Sequence, residues 1–89
     1  MKIKLSKRFE KEALAINDKR IREKIQKVLI QAKTVEKLEN MDDLEEMTGY
    51  QNYYRIKFDY RYRIGIFCTG KEIEFLRIGS REGFYKRFP

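Results

Sequence analysis

Between positions 55 and 63 the chain sets cations at strand spacing: Arg55 and Lys57, then Arg61 and Arg63. Successive side chains of a strand alternate between faces, so each pair shares one face. If the two strands lie side by side in matching register, the pairs meet on one surface. Like charges opposite one another are unfavourable unless water or an anion comes between them. A phosphate-rich ligand satisfies that arrangement. So does a solvated outer face on which the long cations lie over apolar atoms. Downstream, Ser80-Arg81-Glu82-Gly83-Phe84-Tyr85 brings a guanidinium and a phenol towards the same sheet edge. Those two groups suit RNA: one grips a phosphate with paired N–H donors, and the other offers a ring for base stacking. Tyr85 and Phe88 can equally close a core, and Arg81 can pair with Glu82 or with an acid on a helix.

Composition removes other chemistries. The 89 residues include no histidine, which excludes catalytic triads, His-ligated zinc and imidazole acid/base catalysis. Cys68 is the lone cysteine and lies in an apolar run, so it reads as a buried, reduced thiol of a cytoplasmic protein. Neither a secretory signal nor a membrane span is expected, because no apolar run approaches ~18 residues. The formal net charge is +7. Residues 1–35 and 50–89 are rich in Lys and Arg, whereas 36–49 carries Glu36, Glu39, Asp42, Asp43, Glu45 and Glu46. A mixed surface whose basic part faces a polyanion is one reading, and charges that simply coat a small domain are the other. The acids lack the oxygen-ligand spacing and glycine of a calcium loop, so no metal is expected there.

The elements that must position these groups follow from periodicity. With 42% hydrophobic and 39% charged residues the chain reads as one folded domain, 1–89, with a thin core. Lys2 to Leu5 alternate as a short strand. Ser6 can cap a helix to about Ile16, with Phe9, Ala13 and Ile16 on one face. Asp18 can cap a second helix, roughly 19–34, whose Ile21, Ile25, Val28, Leu29 and Ala32 recur at helical spacing. The pair is expected to form a helical hairpin with a shared apolar face. Leu38, Met41, Leu44 and Met47 are spaced by three, as in a short helix or a winding connection. After Gly49 the period becomes two. Tyr53–Phe58, Tyr60–Phe67 and Glu72–Ile78 read as a three-stranded antiparallel meander turning near Asp59 and at Thr69-Gly70-Lys71. Residues 80–89 read as a short turn or a single helical turn. The expected fold class is α+β, with a strand and a helical hairpin packed on one face of an antiparallel sheet that ends in the meander. The other face is where function is to be sought.

In that order and spacing, Tyr54-Arg55-Ile56-Lys57, Tyr62-Arg63-Ile64-Gly65, Ile78-Gly79-Ser80-Arg81, Tyr85 and Phe88-Pro89 resemble the RelE/ParE toxin superfamily, and most closely its RelE and HigB-like branch. The resemblance runs over nearly the whole chain. It implies the toxin of a type II toxin–antitoxin pair that cuts mRNA in the ribosomal A site, with an antitoxin, the ribosome and mRNA as partners. It places Arg55 and Lys57 on the RNA backbone and carries the family's functional arginines and tyrosine onto Arg63, Arg81 and Tyr85. Arg61, Arg77 and Lys86 complete the candidate RNA-binding set. The hairpin Phe58-Asp59-Tyr60-Arg61 has no glycine, which leaves Arg61 a rival to Arg63, and their shared parity points both the same way. Ser80 stands where many HigB-like members carry a histidine. The ParE branch, which poisons gyrase, generally lacks the Arg/Tyr set; a gyrase inhibitor and a non-catalytic RNA-binding module are the competing classes.

RNA cleavage of this kind needs no metal or other cofactor. The substrate's own 2′-hydroxyl attacks the adjacent phosphorus, so a group must take its proton, cations must hold the phosphoryl oxygens, and an acid must protonate the departing 5′-oxygen. Arg63 and Arg81 suit the second task. The first and third fall to Tyr85 and Lys57.

Overall fold

The computed structural model describes Met1–Pro89. Its elements are β1 (Lys2–Leu5), α1 (Lys7–Leu14), α2 (Lys19–Thr34), a 3₁₀ turn at Leu38–Asn40, β2 (Leu44–Glu46), β3 (Tyr53–Ile56), β4 (Tyr62–Thr69), β5 (Glu72–Ser80) and α3 (Arg81–Arg87). The strands form one sheet in the order β1-β5-β4-β3-β2. The expected α+β architecture is present. The pairs β5–β4, β4–β3 and β3–β2 are antiparallel, while β1 joins β5 in parallel.

Both expected caps are made. Ser6 Oγ accepts from the Phe9 amide at 3.0 Å, and Asp18 Oδ1 accepts from the Arg20 amide at 2.9 Å. These bonds satisfy amide donors that a helix start leaves free. Helix α1 stops at Leu14, short of Ile16. The meander is also present, and its second turn has Gly70 at φ +58°, a left-handed conformation that suits glycine.

Three expectations need correction. Residues 36–48 take the winding connection rather than the short helix, and within it, after the 3₁₀ turn, Leu44–Glu46 add an unexpected fifth strand at the sheet edge. The spacing by three imitates a helix because Leu38 in the 3₁₀ turn, Met41 after it and Leu44 in the short strand each pack against the core. The second meander strand begins at Tyr62 rather than Tyr60, which leaves Arg61 in the preceding turn. The tail is a seven-residue helix capped by Ser80, longer than a single turn.

The core lies between the helices and one sheet face. Phe9, Ile21, Ile25 and Ala32 pack onto Ile56, Ile64, Ile66, Cys68, Ile73, Phe75 and Ile78. Phe9 and Phe75 meet with ring centroids 5.4 Å apart. Burying each such side chain contributes about 1.5–3 kcal/mol, which is what holds so small a chain together. Between Gly65 and Ile66 the β4–β5 register shifts, because Leu76 is an extra residue on β5. The bulge absorbs Leu76, so Phe75 and Ile78 both face the core and Arg77 points to the opposite side.

Candidate nucleic-acid interface

The sheet face away from α1 and α2 is built in rows. One row across the strands reads Glu45, Arg55, Gly65, Arg77. Helix α3 lies over this face on two buried rings, Phe84 and Phe88. Gly65 makes that seat: a Cβ there would stand 2.6 Å from the Phe88 ring. Phe88 in turn meets Tyr53 at 5.8 Å between centroids, and Tyr53 meets Phe67 at 4.8 Å.

Tyr85 projects from α3 with 43% of its surface exposed. The Arg55 guanidinium lies 5.0 Å from the Tyr85 ring centroid, a cation–π contact. Arg81 is one helical turn earlier and shares that side of α3. Its guanidinium stacks 4.5 Å from the centroid of the exposed Tyr60 ring. Lys57 and Arg55 both bind one carboxylate, Glu45, with Lys57 Nζ at 2.7 Å. Lys57 and then Arg55 hold that carboxyl below its ordinary range. Hence the crowding of cations expected here is relieved from within the chain, by an acid on the edge strand.

Arg63 lies beneath this surface and is buried. Its Nη1 donates to the carbonyls of Asp59, Tyr60 and Tyr62, at 2.7, 3.3 and 2.9 Å. No carboxylate pairs with it, so its charge is left to act on the face above. Arg61 does not share that direction, contrary to the parity argument. It lies outside the strand, and its guanidinium reaches Asp18 at the start of α2, 3.3 Å away. Arg77 bonds Glu12 of α1 at 2.7 Å. Lys86 is exposed on α3. The structure therefore brings Arg55, Lys57, Arg81 and Tyr85 to one surface with Arg63 under it, and engages Arg61 and Arg77 elsewhere.

Two participants are invisible to sequence reasoning. Glu45 sits in a three-residue strand with no periodic signature, and its only mark is membership of an acidic run. Tyr60, which the alternation places in a strand, lies on the turn that Arg63 braces. Asp59, in the same turn, accepts from Lys24 Nζ and from the Arg61 amide, which hold its carboxyl below the ordinary range. The Cys68 thiol is pushed up by burial, as suits an inert core residue. No group of three or more His, Cys, Asp or Glu side chains is gathered as metal ligands, and no helix is long and apolar enough to cross a membrane.

No protein-family model matches the chain. It is, however, 33% identical over 90 residues to Toxin RelE3 of Methanocaldococcus jannaschii, with 100% of each chain covered. The chain belongs to the RelE toxin family. A solved RelB–RelE antitoxin–toxin complex from Methanococcus jannaschii contains a similar chain, with a TM-score of 0.81 and 32% identity, covering 97% of this chain and 99% of that one. The Escherichia coli RelBE toxin–antitoxin complex matches with a TM-score of 0.69 at 18% identity, over 88% of this chain and 93% of that one. YafQ from the same species gives 0.67 at 16%, over 91% and 93%. At those lower identities the likeness speaks for the RelE fold alone.

Proposed function

We propose that this RelE-family chain is a ribosome-dependent endoribonuclease, neutralised by a cognate antitoxin. The observation that carries the reading is the gathering of Tyr85, Arg55, Lys57 and Arg81 on one face, above the unneutralised charge of Arg63. Arg81 and Arg55 contact the phosphoryl oxygens, and Arg63 adds positive potential from below. Tyr85, in its phenolate form, takes the proton of the 2′-hydroxyl as that hydroxyl's oxygen attacks phosphorus. The bond from phosphorus to the 5′-oxygen breaks, Lys57 protonates that oxygen, and the products are a 2′,3′-cyclic phosphate and a 5′-hydroxyl. The ribosome supplies the in-line geometry that a free strand rarely adopts. Glu45 holds Lys57 and Arg55 in place until a phosphate displaces it.

An acidic segment of the antitoxin would cover the same face, and charge complementarity would speed its capture. The test is incubation of the purified protein with translating ribosomes, followed by mapping of the new RNA ends. Wild type is expected to cut within the A-site codon, and Tyr85→Phe to cut ~10²–10⁴-fold more slowly. Equal rates for the two proteins would remove Tyr85 from the mechanism. Intact transcripts accompanied by gyrase-linked DNA breaks would move the chain to the competing class.

A further inference from the structure

Past Phe88, where α3 ends, the same sheet face opens into a separate cleft of about 400 Å³. Its lining includes Ser6, Arg8, Tyr53, Arg77, Arg87 and Phe88. Three guanidinium groups border it, and they are not equivalent. Arg77 is neutralised: it bonds both Glu12 oxygens, at 2.7 and 3.4 Å, and both side chains are largely buried. Arg8 and Arg87 are exposed and have neither an ion pair nor a side-chain hydrogen bond anywhere in the chain. Two uncompensated cations at one cleft repel each other unless an anion joins them.

The placement of these two groups is built rather than incidental. Arg8 sits in the first turn of α1, and Ser6 ties that turn to β5 by donating to the Leu76 carbonyl at 3.0 Å. Arg87 ends α3 between the buried Phe84 and Phe88 anchors, whose rings lie 5.1 Å apart. Tyr53 and Phe88 give the cleft an aromatic side. Tyr53 also precedes Arg55 by two residues on the same face of β3, so the cleft lies about 7 Å along that strand from the Arg55–Tyr85 contact.

We propose that this cleft is a second RNA-backbone site, in which Arg8 and Arg87 hold phosphates while a base lies against the partly exposed Tyr53. The proposal rests on the reading of the chain as an RNA-cutting toxin and adds a place for nucleotides beyond the scissile bond. The strand it holds comes either from the mRNA or from ribosomal RNA, and the experiment separates the two.

The affinity of the protein for a short single-stranded RNA, 2′-O-methylated so that it cannot be cut, is measured across a salt series. The same series is run with purified small ribosomal subunits. The proteins compared are wild type, Arg8→Gln/Arg87→Gln, Arg87→Lys and Arg55→Gln. Removing one phosphate-binding cation should make the slope of log K against log salt shallower by about 0.7, so the double variant should lose about 1.4. Arg87→Lys should keep the wild-type slope. Unchanged thermal melting of the variants at the exposed Arg8 and Arg87 confirms that the fold is intact. A shallower slope with free RNA assigns the cleft to the mRNA, and one seen only with subunits assigns it to ribosomal RNA. Wild-type slopes for the double variant in both series, with Arg55→Gln weakened, overturn the cleft and leave the Arg55–Tyr85 interface standing. Indifference of both ligands to every variant, Arg55→Gln included, overturns the RNA reading and the cleft together.

Discussion

The two faces of one sheet solve different problems. Under α1 and α2, Ile56, Ile64, Ile66, Ile73, Phe75 and Ile78 interlock with helix side chains, and none of the buried residues there is charged. Under α3, rings and guanidinium groups interleave, and an arginine is buried with only carbonyl oxygens for partners. The first face gains its stability from removing apolar surface from water. The second holds unpaired positive charge in place, which costs stability and is tolerable because the first face carries the fold. Only a seven-residue helix covers it.

Substitutions can break this division in order of size. Phe75→Ala removes a fully buried ring from the first face and should destabilise the protein by about 3–5 kcal/mol in chemical denaturation. The molecules that remain folded should keep normal RNA binding. Gly65→Ala attacks the second face by driving a methyl into the Phe88 ring. A loss of about 1–3 kcal/mol is expected, with a drop in RNA affinity at least as severe as for Arg55→Gln. Should Gly65→Ala leave affinity intact, α3 does not organise the interface. Ser80→Ala deletes the α3 cap, a long 3.4 Å bond to the Gly83 amide, and should cost about 0.5–1 kcal/mol by the same assay.

Acid should have the gentlest effect. The Asp59 and Glu45 carboxyls are held below their ordinary values in the folded chain, so their stabilisation is present above the unfolded carboxylate range, about pH 4. It should fade as pH falls through the lowered folded values, because protonation breaks the Lys24 and Lys57 pairs. Asp59→Asn, titrated alongside wild type by thermal melting, should show a flatter decline below pH 4.

What the sequence reveals, and what it hides, follows the same division. The helix caps at Ser6 and Asp18, the apolar stripe of α2 and the turn at Gly70 are legible because each is a local rule written in adjacent residues. The alternation that puts Arg55 and Lys57 on one face is equally sound, as both lie in or beside a regular ladder. Parity fails at Arg61 because the turn around Asp59 reaches two residues further than the apolar pattern suggests. Glu45 is hidden for another reason. A strand of three residues is too short to show a period, and its place beside Arg55 is decided by pairing with a segment ten residues away. Arg8 and Arg87 are out of reach for the same reason, since nothing in their neighbours joins positions at opposite ends of the chain.

The bulge at Leu76 has a consequence of its own. Without that residue β5 would read as an unbroken alternation, with Phe75 inward, Arg77 outward and Ile78 inward, so a deletion there would leave both faces correctly dressed. What the deletion would remove is the carbonyl to which the Ser6 hydroxyl donates, and that same hydroxyl oxygen caps α1. The spare amino acid therefore acts as a rivet: one serine both starts the first helix and fastens it to the middle of a strand seventy positions later.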